Sequence, residues 1–343
     1  MLNYKRNIFA IAISLTSVLL ISTRALAASN LVAYWAFDET SGTVVYDSSG
    51  NNQTATNFNA TISTDVPNTN FTNVRSLLFN GTNSYVSAPA QATLTGNSSR
   101  SISLWFKTNV TTQDQGLFDS GGINVNNTAQ EIYTVAANGA NPANPPATSP
   151  GGIAIVMWGN DIYVPIGINN VANNEWHQLV FTYDNTTQQA TLYFDGTAES
   201  SYLWNGSSWT ALVSQPFTLS SPLNTTANNV FIGHTRTGYF SSGNNWFTGN
   251  IDDVSIYDIA LTSAGVSNLA AGSNNPNTPV TPTNNPTNVT TPKAIKANST
   301  APDTGYGKPI KNYNLTFIIS SFFLFIGLSL LMINKRSFQS QKQ

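Results

Sequence analysis

Between Trp176 and Tyr183 the side chains sort into two faces, His177, Leu179, Phe181 and Tyr183 on one and Trp176, Gln178, Val180 and Thr182 on the other. A period of two sends successive side chains to opposite sides of an extended backbone, so this run reads as a strand. Five polar residues, Asn185 to Gln189, lead to a second run in which Ala190, Leu192 and Phe194 share a face. It stops at Asp195-Gly196, a dipeptide that tolerates positive φ. The two runs predict a β-hairpin.

The same alternation recurs along the chain. Leu31, Ala33, Trp35 and Phe37 share one face of a first strand, and Thr43 to Tyr46 follows a turn at Gly42. Leu77 to Phe79 and Tyr85 to Ser87 flank Asn80-Gly81 and predict another hairpin. Ile102 to Phe106, Ile153 to Trp158, Ile162 to Ile168 and Val230 to Gly233 read as further strands. Ile251 to Ile256 is the last, with Ile251, Asp253 and Ser255 opposite Asp252, Val254 and Ile256. Thr262 or Ser263 would cap one short helix ending near Gly272. Between Asp119 and Gly152, glycines, asparagines and the cluster Pro142 to Pro150 surround one apolar island, Ile132 to Ala136. So long a stretch of weak periodicity predicts a surface loop or insertion. Many short strands and one helix make an all-β domain.

Outside residues 28–272 the composition changes. Met1 to Ala27 has Lys5 and Arg6, an apolar run from Ile8 to Ile21, and Ala25-Leu26-Ala27 before Ala28. That order reads as a secretory signal peptide, with the mature chain starting at Ala28. Residues 273–300 are rich in Pro, Thr and Asn and predict an extended stalk. Leu315 to Ile333 is long and apolar enough for a transmembrane helix, and the tail at 334–343 holds Lys335, Arg336 and Lys342, suited to the cytoplasmic side. Charged residues are only 9% of the 343 and the net charge is -2, so nothing attracts nucleic acid. There is no cysteine, which removes disulfide, thiolate-metal and thiol-nucleophile chemistry together.

EWHQLVFTYD at Glu175 to Asp184, followed by ATLYFDGT, resembles a central hairpin of laminin-G-like domains in the concanavalin A-like lectin/glucanase superfamily. LVAYWAFDETSGTVVYDSSGNN, RSLLFNGTNSYVSAP, SISLWFKTN, VFIGHT and FTGNIDDVSIYDIALTSAGVSNL follow the family order, so the resemblance covers roughly Ala28 to Gly272. It implies an antiparallel jelly-roll β-sandwich of the concanavalin A-like type. It also places the loop Asp47-Ser48-Ser49-Gly50-Asn51-Asn52 near Asp252-Asp253, so that Asp47, Asn52 and Asp252 would share one structural calcium ion (Ca2+) through hard oxygen donors. The other reading of those residues is an Asx-turn at Asp47 and a strand-capping Asp252. The C-terminal region resembles a cell-wall sorting signal, whose pentapeptide is Leu-Pro-x-Thr-Gly. Here it reads Ala301, Pro302, Asp303, Thr304 and Gly305, with alanine in place of the leucine. The resemblance implies a sortase partner, cleavage between Thr304 and Gly305, and attachment of Thr304 to peptidoglycan.

A retaining glycosidase needs two carboxylates about 5 to 5.5 Å apart. The glutamates are Glu39, Glu131, Glu175 and Glu199, and none has an acidic residue two positions away. Asp252 and Asp253 are adjacent and on a regular strand would point to opposite faces. The only histidines are His177, expected as a hydrogen-bonded strand residue, and His234, at a strand end. The expectation is therefore recognition without catalysis, with a glycan or glycoprotein partner at the cell surface. Trp204, Trp209, Tyr239 and Trp246 are the candidate ligand residues, since rings stack on the apolar faces of sugars. For Trp204 and Trp209 the competing reading is a ring-to-ring staple across a short hairpin. A structural spacer without a ligand and a glycan-active hydrolase are the alternative functions.

Overall fold

The computed structural model describes residues 30–123, 125–136, 150–204, 208–210, 212–236 and 246–273. The signal peptide, stalk, sorting motif, apolar C-terminal run and Tyr239 lie outside these residues. The chain divides into two units, Met1–Pro282 and Thr283–Gln343, and every described residue belongs to the first. Among the described residues no helix is long and apolar enough to cross a membrane.

The strands are β1 (Leu31–Trp35), β2 (Val44–Val45), β3 (Ala55–Phe58), β4 (Thr61–Ser63), β5 (Ser76–Asn80) and β6 (Tyr85–Ala88). Then come β7 (Arg100–Lys107), β8 (Gln115–Gly121), β9 (Ala129–Val135), β10 (Gly152–Val156), β11 (Ile162–Val164) and β12 (His177–Asp184). The last are β13 (Gln189–Phe194), β14 (Thr197–Ala198), β15 (Tyr202–Leu203), β16 (Phe217–Thr218), β17 (Val230–Ile232) and β18 (Thr248–Tyr257). Among the described residues the α-helices are α1 (Ile168–Val171) and α2 (Ser263–Ala270).

These strands form two antiparallel sheets, a β-sandwich. The first runs β14-β13-β12-β7-β18-β5-β4, with β1 also on β18 and β16 on β13; the second runs β15-β11-β10-β9-β8-β17-β6-β3-β2. In the β12–β13 hairpin Leu179 faces Phe194, Phe181 faces Leu192 and Tyr183 faces Ala190. All six lie in one core with Trp35 of β1, Phe106 of β7, Phe118 of β8 and Ile232 of β17. Burying one such side chain is worth about 1.5–3 kcal/mol, which is why alternation in sequence becomes a sandwich here. Helix α2 lies on the outer face of the first sheet, where Val266 and Leu269 pack with Val180, Tyr193 and Tyr257. The Thr262 side chain caps it by accepting from Gly265 N at 3.1 Å. Thr262→Ala should lower stability by about 1 kcal/mol, read as a shift in the urea midpoint at unchanged slope.

Three expectations are corrected. The turn at Asn80-Gly81 does not close a hairpin: β5 belongs to the first sheet and β6 to the second. The Asn80 carboxamide oxygen accepts from the amides of Thr82 and Asn83 at 2.9 and 3.1 Å, and that turn carries the chain across the sandwich. The stretch from Asp119 to Gly152 holds the end of β8 and all of β9, because polar Gln130, Glu131 and Thr134 are buried beside Ile132. And β18 is not regular. A bulge between Asp252 and Ser255, with Asp253 at φ 49, puts Ile251, Val254 and Ile256 together in the core.

Candidate functional site

With α2 over the first sheet, the outer face of the second is the broad surface left to consider. Core-facing residues alternate with outward ones along each of its strands. Val86 and Ala88 point inward from β6, Val230 and Ile232 from β17, and Ala55 from β3. Tyr85, Phe231 and Phe58 therefore point outward.

These outward rings meet. Phe58 stacks on Tyr85 with centroids 4.6 Å apart and planes 9° apart. Tyr85 lies 6.0 Å from Phe231 and 5.8 Å from Trp246. Trp246, bridged to His234 just past the end of β17, stacks on its imidazole at 3.9 Å and 13°. Phe58 is 40% exposed and the other four rings are half-buried, so they form an accessible platform. Beside it the Arg236 guanidinium sits 5.1 Å from the Phe231 centroid. Arg236 donates through Nε and Nη2 to the two oxygens of Asp119, each at 2.8 Å, and Asp119 is fully buried. Such a forked pair fixes the arginine plane over the ring.

Across β8–β9, Asp119 lies opposite Glu131. Glu131 accepts from the Tyr133 hydroxyl at 2.6 Å and from Trp158 Nε1 at 3.5 Å. Trp158 has φ 57, left-handed backbone that a bulky residue rarely adopts. It is held there by Asp161 Oδ1, which accepts from the amides of Met157 and Trp158 at 2.7 and 2.8 Å. Tyr133 and Tyr163 are buried and pack with Trp158, Tyr202 and Trp209 into a second apolar cluster on this face.

The four candidate ligand residues are thus not one site. Trp246 is in the platform. Trp204 and Trp209 face each other across a short bridge, rings 5.6 Å apart at 55°, next to β15 at the far edge of the same sheet. Five strand spacings separate that edge from β17, roughly 24 Å. Their mutual contact is the staple arrangement. Trp204 also lines a cavity of about 130 Å³ with Asn160, Leu203, Thr210 and Leu219. Phe58, Tyr85, Phe231 and Arg236 were not singled out in the sequence, and the outward positions of β3, β6 and β17 were the available signal.

His177 is a strand residue tied by Nδ1 to Asp195 at 2.8 Å and by Nε2 to Asn173 at 3.0 Å.

Asp47 serves its own loop. One oxygen accepts from Tyr34 N and Ser49 N at 3.0 and 2.8 Å, the other from Ser49 Oγ and Gln53 N at 2.8 Å each. Burial pushes its carboxyl up, but those donors outweigh it and hold it below the usual range. Asn52 lies in that loop with φ 59. Asp252 is elsewhere in its bonding: the β18 bulge turns Asp252 and Asp253 toward one another instead of to opposite faces. Asn73 Nδ2 donates to both, at 2.9 and 2.8 Å, and the Tyr34 hydroxyl donates to Asp253 at 2.6 Å. Burial pushes Asp253 up to about 7, and burial with the neighbouring Asp253 charge raises Asp252 well above the usual carboxylate value. Asn73 Oδ1 is buried without a hydrogen bond. Two carboxylates and that amide oxygen are hard donors that fit calcium better than the saturated Asp47 does. Among the described residues no group of three or more His, Asp or Glu side chains comes together for a metal.

A sandwich of two antiparallel sheets with one helix on an outer face is a lectin-like class of fold. A laminin-G family model, described as the concanavalin A-like lectin/glucanases superfamily, matches residues 80–267, and the chain belongs to that superfamily. No curated protein matches. Among solved structures, the chain is similar to domain 4 of AbnA, a GH43 extracellular arabinanase from Geobacillus stearothermophilus solved with arabinotriose. Identity is 20% and the TM-score 0.46, over 71% of this chain and 98% of that one. It is similar to the binding domain of Paraclostridial Mosquitocidal Protein 1, at 17% identity and TM-score 0.38 over 70% of this chain and 52% of that one. It is also similar to the botulinum neurotoxin type G receptor binding domain, at 14% identity and TM-score 0.38, over 71% of this chain and 51% of that one. The match spans about half the length of each toxin domain.

Proposed function

We propose that this protein is an exported, wall-anchored recognition protein whose platform of Phe58, Tyr85, Phe231, His234 and Trp246 binds glycans at the cell surface. The observation that carries this is the half-exposed ring platform beside a fixed Arg236–Asp119 pair. Rings supply area for the C–H faces of a sugar at little entropic cost, and the arginine supplies directed donors for its hydroxyls. Trp246→Ala or Tyr85→Ala should weaken glycan binding by roughly 10- to 100-fold, about 1.4–2.7 kcal/mol, while Trp209→Ala at the far edge leaves it within about twofold. Glycan-array binding of the three purified variants checks this. Equal losses in all three would remove the platform from the proposal.

The function proposed is binding without turnover. In support, one member of the Asp119–Glu131 cross-strand pair is closed on Arg236. Mass spectrometry of any bound glycan after long incubation tests this, and shortened products would reverse it. Anchoring rests on the sequence alone, through Pro302, Asp303, Thr304 and Gly305 after a leader at residues 1–27. Wall fragments released by muramidase should carry the protein, and Thr304→Ala should send it to the medium or leave it in the membrane.

A further inference from the structure

We infer that the platform takes uncharged saccharides and rejects acidic ones, an inference that rests on the glycan-binding reading above. Between residues 28 and 272 the chain has fifteen Asp and Glu but only four Lys and Arg, namely Arg75, Arg100, Lys107 and Arg236; the whole chain reaches -2 because its other cations lie outside this span. Such a surplus of one sign repels like-charged ligands before any contact is made.

None of the four cations offers unmatched charge beside the rings. Arg100 is buried and donates to the carbonyls of Leu94, Gly96 and Ser98 and to Thr225 Oγ1. Lys107 pairs with Asp65 at 2.9 Å. Arg75 immediately precedes β5, in the sheet opposite the platform. Only Arg236 stands beside the rings, and its charge is matched by Asp119 within one forked contact. Nη1 carries no hydrogen bond among the described residues, so Arg236 still offers a donor to a hydroxyl without offering an unmatched charge. Next to this pair a further carboxylate, Glu131, lies buried opposite Asp119 across β8–β9 and adds to the negative charge under this face. An arriving carboxylate or sulfate therefore meets a surplus of negative charge with no unmatched cation beside the rings, whereas a neutral sugar meets rings and a donor.

The test uses the mature chain on an array of matched pairs, neutral oligosaccharides beside the same glycans oxidised at C6 to uronates, read at about 20 mM and about 500 mM NaCl. The expected result is binding to neutral members, with uronate partners at least roughly tenfold weaker and the gap narrowing in high salt. Uronates bound as well as or better than their partners would overturn the inference and leave glycan binding standing. No binding to any member would overturn both. Asp119→Asn, with its folding checked by near-UV circular dichroism, releases the Arg236 charge and should shift the uronate-to-neutral ratio toward the uronate by about tenfold. An unchanged ratio in the folded variant would overturn the role given to this ion pair. If that variant does not fold, the paired probes at two salt concentrations decide alone.

Discussion

Gly233→Ala is expected to destabilise the domain by about 2–4 kcal/mol and to loosen the ring platform at the same time. Gly233 follows β17 with φ +76, and a Cβ there would lie 2.2 Å from Cδ1 and 2.3 Å from Cε1 of Phe79. Phe79 cannot yield easily, since it is buried and meets Phe247 edge-on at 6.3 Å. The backbone cannot yield either: Gly233 N donates to Leu117 O at 2.8 Å, and Phe247 N donates to Gly233 O at 2.9 Å. Left-handed strain and overpacking therefore add. The next residue is His234, and the residue before Phe247 is Trp246, so a shift here tilts the stacked pair. Urea denaturation should show the loss, and Phe79→Leu should recover part of it by opening room at the same point. If the two substitutions are additive in a double-mutant cycle, the ring contact is not what requires glycine.

This position also marks where the sequence was legible. VFIGHT ends a strand in glycine, and both strand and turn are present as the alternation implies. The β12–β13 hairpin was readable for the same reason, since six apolar residues on one face have a single core to enter. Asn80-Gly81 was a true turn, but which sheet each flank joins depends on β18 and β17, more than 140 residues later. Strand β9 was hidden because its buried residues include Gln130, Glu131 and Thr134, which a hydrophobic pattern counts as solvent-facing. The platform could not be read locally at all. Phe58, Tyr85, Phe231 and Trp246 come from four separate segments, and only antiparallel pairing of β3, β6 and β17 sets them side by side.

The Asp252–Asp253 pair should make the domain more stable at pH 5.5 than at pH 8 when calcium is kept out by EDTA. A carboxyl raised in the folded state to about 7, from 3.8, holds a proton there that the unfolded chain releases. Stability then falls as pH rises from about 4 to about 7 and is level above that. Between pH 5.5 and pH 8 only the part up to about 7 is crossed, about 1.5 units at about 1.4 kcal/mol each, so the expected loss is on the order of 2 kcal/mol. For a domain of this size that is roughly 4–8 °C in Tm. Carboxyls held low, such as Asp47, lose their contribution only below about pH 4, so they do not mask the window. Asp253→Asn should flatten the profile and raise Tm at pH 8. Calcium would relieve the same repulsion by binding to the ionised pair, so adding it at pH 8 should raise Tm in the native chain and not in Asp252→Asn, with the gain shrinking at pH 5.5. A native Tm that rises steadily from pH 5.5 to 8 in EDTA would show that the two carboxyls ionise without cost. A calcium gain that survives in Asp252→Asn would place the ion away from this pair.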